Sequence, residues 1–66
     1  MRFVKVRDSL FNEYYFNATE IACVKEITGE YKDSLDIKSI IIFKSDLPPI
    51  QTIDDIESIM YQILGN

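Results

Sequence analysis

A chain of 66 residues with one cysteine, Cys23, and no histidine makes one small domain and excludes both a disulfide framework and a structural zinc site. So short a chain buries only about 60% of its unfolded surface. Its 47% hydrophobic content, with four Phe and four Tyr, therefore has to serve a tight monomer or a subunit interface. The net charge of −4 lies wholly in residues 45–66, where Asp46, Asp54, Asp55 and Glu57 face no base. Residues 1–44 are balanced, so the basic patch that duplex nucleic acid requires is not expected.

Residues 2–7 alternate in the manner of a strand, with Val4 and Val6 on one side and Phe3, Lys5 and Arg7 on the other. They lack the apolar run of a secretory signal, and nothing in the chain approaches the ~18 apolar residues of a membrane span. A reducing, cytoplasmic setting with no membrane contact is the expectation. Asp8-Ser9 is a turn signal, and Leu10 to Glu13 reads as a loop or the opening of a hairpin. Residues 14–17 are a short β-prone stretch ending on Asn17, a residue suited to an Asx-type turn.

Residues 21–28 form the next expected strand. Its alternation is broken, and a bulge near Cys23 would bring Ile21, Val24 and Ile27 to one face. Residues 29–36 are polar and read as a hairpin loop. Residues 37–44 carry Ile40-Ile41-Ile42-Phe43, a run apolar on both faces that belongs at the centre of a sheet covered on each side. After the loop through Pro48-Pro49, Ile50-Gln51 offers a brief extended segment. The stretch from Ile53 to Leu64 then reads as one amphipathic helix, with Ile53, Ile56, Ile59, Met60, Ile63 and Leu64 on one arc. Thr52 is the expected N-cap, Asp55 the acidic half of a capping box, and Gly65 the stop.

The resulting fold class is α+β: a small antiparallel sheet of three to four strands (about 2–7, 14–17, 21–28 and 37–44) with one C-terminal amphipathic helix (about 53–64) packed on it. In its order of elements the chain resembles the FlbD-like family of small bacterial proteins. The likeness is carried by Tyr15-Phe16-Asn17-Ala18 leading into Ile21 and Val24, and by Ile50-Gln51-Thr52-Ile53-Asp54-Asp55-Ile56 opening the helix. It implies a bacterial protein, flagellum-associated in some members, with no catalytic residues to carry over. The Asp33-Ser34-Leu35-Asp36 turn and the Leu47-Pro48-Pro49 insertion depart from the family pattern.

Chemistry-bearing residues are few. There is no His to act as a base and no glycine-rich phosphate loop. Cys23 sits in an apolar strand with only Lys25 to activate it, so it reads as a small packed residue. Asp54, Asp55 and Glu57 stand at a helix N-terminus, where acids complement the macrodipole more simply than they bind a cation. Tyr14, Tyr15, Phe16 and Tyr31 lack the interleaved bases of a single-strand stacking platform. No catalytic, cofactor or metal residues are assigned.

What remains is contact with other proteins. A single helix covers one face of the Ile40–Phe43 strand, which leaves the other for a second subunit; Ile40, Ile42, Tyr14 and Phe16 are the expected self-association face. The acidic helix face, Asp54, Asp55, Glu57 and Tyr61, is the expected surface for a protein partner. The reading is a non-catalytic, homo-oligomeric interaction module that docks on a larger bacterial protein. The alternative is a phage or mobile-element inhibitor that presents the acidic face to a nucleic-acid-handling host protein.

Overall fold

The computed structural model of the chain describes residues 2–27 and 36–65. Strand β1 (Phe3–Arg7) pairs antiparallel with β2 (Glu13–Asn17), Lys5 lying opposite Tyr15. A 3-10 turn over Ala18–Glu20 follows, and Asn17 caps it: its Oδ1 accepts from the Thr19 amide at 3.0 Å, the Asx-type turn the sequence predicts. Strands β3 (Ile21–Glu26), β4 (Ser39–Phe43) and β5 (Ile50–Thr52) form a second antiparallel sheet with β4 at its centre. Helix α1 (Ile56–Leu64) closes the chain. The fold is α+β, with the helix packed on the strands.

The expected bulge is present. The register of β3 on β4 slips between Ile21 and Cys23. The extra residue lets both Ile21 and Val24 reach the core, which strict alternation would forbid. In β4 the alternation is clean: Ser39, Ile41 and Phe43 are buried, while Ile40 and Ile42 on the other face are half-buried.

One core serves both sheets. Val4 and Val6 from β1, Ile41 and Phe43 from β4, and Ile59 from α1 are buried together, with Phe16, Ala18, Ile21, Val24, Ile50 and Ile63 packed around them. Each fully buried aliphatic side chain contributes roughly 1.5–3 kcal/mol relative to exposure. The rings of Phe16 and Phe43 meet edge to face, centroids 5.1 Å apart at 87°, a contact that links the two sheets directly.

Three expectations are corrected. The strands divide into two sheets instead of one; on the β1 side the hairpin cannot be extended, because the turn before α1 and Gln62 of α1 occupy that edge. The helix starts at Ile56, three residues later than its hydrophobic pattern implies. Its N-cap is Asp55, whose Oδ1 accepts from the Ser58 amide at 2.8 Å, while Thr52 ends β5. The apolar arc is also narrower: Ile59 is buried and Ile56 and Ile63 are half-buried, but Met60 and Leu64 are exposed. The helix ends as predicted at Gly65, in the left-handed region at φ 78°, with its N–H on the Tyr61 carbonyl. Most of the predicted 29–36 loop lies outside the described residues.

Candidate functional site

Among the described residues, two short turns carry most of the side-chain hydrogen bonds, and each is organised by aspartate. The first is the loop from Asp8 to Asn12, between β1 and β2. Asp8 Oδ1 accepts from the amides of Leu10 (2.9 Å) and Asn12 (3.0 Å), and Oδ2 accepts from Asn12 Nδ2 (3.1 Å) and the Tyr14 hydroxyl (2.8 Å). The backbone closes the same loop, with Asp8 N–H on the Asn12 carbonyl and Phe11 N–H on the Asp8 carbonyl. One carboxylate thus fixes the whole turn.

The electrostatics follow from that geometry. The Asn12 side-chain amide does most to hold the Asp8 carboxyl below its usual range; desolvation, next in size, opposes it, and the Tyr14 hydroxyl and the two backbone amides add to the lowering. The same bond, reinforced by desolvation and by the Asp8 charge, raises the Tyr14 phenol above its ordinary value.

This rigid frame presents apolar groups to water. Leu10 is 80% exposed and Phe11 68% exposed. Phe11 also has φ 65°, and among the described residues it is the only non-glycine residue at positive φ. The left-handed conformation costs an L-residue about 1–2 kcal/mol, and Phe11 lies outside the core cluster whose packing could offset it. An open groove of about 490 Å³ lies on the Leu10 side, lined by Tyr14, Ile37, Ile40, Pro48 and Ile50 among others. A second, of about 480 Å³, lies on the Phe11 side, between Arg7, Lys38 and Ile53. The tip stands as a wall between two hollows.

The second turn, Thr52–Asp55, does the opposite work. The Thr52 hydroxyl is buried and donates to the Arg7 carbonyl at 2.6 Å. With one proton it makes that bond in preference to the 3.1 Å contact with Asp54 Oδ2, and its lone pair accepts from the Asp54 amide. Asp54 Oδ2 accepts from the Arg7 amide at 2.8 Å, and Ile53 N–H donates to the Arg7 carbonyl. Further along α1, Gln62 reaches the same edge of β1: its Oε1 accepts from Lys5 N–H and its Nε2 donates to the Lys5 carbonyl, both at 2.9 Å. Side chains and one backbone amide thereby replace the missing strand beside β1.

The expected site residues fall as follows. Of the acidic face, Asp54 is drawn inward, its side chain 16% exposed and paired with Arg7 at 3.5 Å, and Asp55 is committed to capping. Glu57 and Tyr61 point to solvent. The expected self-association face is divided. Ile40 and Ile42 share the outer face of β4, Tyr14 borders the first groove with Ile40, and Phe16 is turned into the core on Phe43. Cys23 is a half-buried free thiol. The residues sequence reasoning missed are Leu10 and Phe11. The turn signal at Asp8-Ser9 located their loop, but nothing in the sequence marks Phe11 for a left-handed conformation. Among the described residues no group of three His, Cys, Asp or Glu is placed to hold a metal ion, and no helix is long and apolar enough to cross a membrane. Comparison with family models, curated proteins and solved structures finds no match to this chain.

Proposed function

We propose that this chain is a non-catalytic protein–protein interaction module whose contact point is the Leu10–Phe11 tip. The observation that carries the reading is Phe11 itself: a large apolar side chain, exposed, on a strained backbone, in a loop held shut by Asp8. Strain of this kind persists where surrounding structure over-determines it, and it concentrates at functional positions. A tip already ordered before contact loses little conformational entropy on binding, so a small apolar contact is enough for useful affinity. The partner that fits is a larger protein with an apolar pocket rimmed by basic groups, since the module carries a net charge of −4. A bacterial, cytoplasmic setting, in line with the FlbD-like resemblance and the single cysteine, belongs to this reading.

The acidic-face reading loses ground because Asp54 and Asp55 are engaged within the fold. Capture from a bacterial lysate with three immobilised baits separates the two. The native chain and Glu57→Lys should retain the same partner, and Leu10→Ser/Phe11→Ser should lose it. Loss with Glu57→Lys and retention with the tip variant would return the function to the helix.

A further inference from the structure

The two edges of the β1–β2 hairpin are treated differently. Lys5 and Arg7 direct their N–H and C=O groups away from β2, and Gln62, Asp54, Thr52 and Ile53 satisfy all of them. Lys5 lies opposite Tyr15, Arg7 opposite Glu13 and Phe3 opposite Asn17. In an antiparallel ladder such pairs are the ones without mutual hydrogen bonds, so Glu13, Tyr15 and Asn17 direct their own N–H and C=O groups outward on the far side. Among the described residues the Asn17 carbonyl is engaged by the 3-10 turn that Asn17 caps, and nothing bonds to the other five groups. The hairpin's neighbours in its own plane, the 52–54 turn and α1, stand on β1's side. Proteins guard such an edge with Lys, Pro or a bulge; β2 reads Glu-Tyr-Tyr-Phe-Asn and has none of these.

We infer that β2 is a self-pairing edge, and that its occupant is the β2 strand of a second copy, giving a continuous sheet β1–β2–β2–β1 about a two-fold axis at Tyr15. This goes beyond the tip reading and does not depend on it. Antiparallel pairing centred on Tyr15 sets Tyr15 against Tyr15 and Glu13 against Asn17 of the second copy, so that the Tyr15 pair exchanges two bonds and each Glu13–Asn17 pair adds one from the Asn17 N–H to the Glu13 carbonyl. A slip of two residues loses at least one pair. The side chains agree with this register. The two Tyr15 rings, each 65% exposed, meet across the axis, and aromatic pairs on neighbouring strands attract. Asn17 Oδ1 is taken by Thr19, which leaves its Nδ2 to donate to the Glu13 carboxylate opposite. An interface of one strand edge falls below about 1,200 Å², the size of weak, reversible contacts. The dimer constant is therefore expected on the order of 10–100 µM.

Sedimentation equilibrium of the full chain from about 10 µM to about 1 mM tests this. The expected result is a monomer–dimer transition inside that range. Asn17→Asp keeps an oxygen for Thr19 but sets a carboxylate against Glu13, and should weaken the dimer at least tenfold. Adding Glu13→Gln should restore it. N-methylation of the Tyr15 amide in a synthetic chain removes a donor that β1 does not use, and should abolish dimerisation with the circular dichroism spectrum intact. Leu10→Ser/Phe11→Ser should leave the constant unchanged, which separates this interface from the tip. A native chain that is monomeric at the highest concentration overturns the inference. So does a dimer indifferent to the N-methyl group and to Asn17→Asp.

Discussion

The two aspartate-organised turns use the same chemistry for opposite ends. At Thr52–Asp55 the Asp54 carboxylate and the Thr52 hydroxyl bond to another part of the chain, Arg7, which lies 45 or more positions away in sequence. At Asp8–Asn12 every bond stays within seven residues of sequence. The first turn therefore joins the hairpin to the rest of the fold, and cutting it should cost global stability. The second only shapes itself, and cutting it should change what is displayed while the core stands. A carboxylate's partners, more than its exposure or its place in a turn, decide whether it serves the fold or the surface.

The largest expected effect lies on the joining side. Asp54→Ala removes the charge-assisted bond to the Arg7 amide, at a cost of about 1.5–3 kcal/mol. For a domain of this size that lowers Tm by roughly 10 °C or more. Gly65→Ala comes next. At φ 78° a Cβ is strained and would also run into the Arg2 guanidinium, so a loss of about 1–2 kcal/mol is expected from denaturant melts. Phe11→Gly should go the other way and raise stability by up to about 1 kcal/mol, because glycine relieves the left-handed strain at some cost in chain entropy. A destabilised Phe11→Gly would mean that the ring is part of the fold.

The smallest global effect, and the sharpest local one, comes from pH. The folded Asp8 carboxyl titrates below its ordinary value, so its stabilisation of the loop is complete above the unfolded value near 3.8 and disappears as pH falls through the lowered one. Tyr14 is shifted the other way. Its hydroxyl bond is complete below the ordinary phenol value and is lost as pH rises through the raised one, when the phenolate can no longer donate and repels Asp8. The amide shifts of Leu10 and Asn12 should be flat between those limits and move at both ends, with Tm of the core following only weakly. A loop whose amide shifts do not move at acid pH would show that Asp8 does not hold it.

Local patterns carried much of the fold. The alternation of Val4 and Val6, the broken alternation around Cys23, the Asn17 turn, the apolar run at 40–43 and the Gly65 stop each rest on neighbours a few residues apart, and each has its structural counterpart. The failures share a different cause. Thr52 looks like a helix cap until Arg7 is brought beside it, and then its hydroxyl has a better use, which passes the cap to Asp55. Gln62 reads as a solvated helix residue until β1 presents an open edge. Phe16 reads as surface on a single sheet and becomes core once two sheets face each other. The candidate site was the least legible part, because φ at Phe11 is imposed by the Asp8 bonds and carries no signature of its own.

The central claim is that Leu10 and Phe11 are held rigid in the free protein. Backbone amide relaxation of the monomeric native chain reads this directly. Order parameters at both residues should match the strands, near 0.85, and fall clearly in Asp8→Ala. Values under about 0.6 in the native chain would mean a loose loop with no preformed contact point, and would contradict the account.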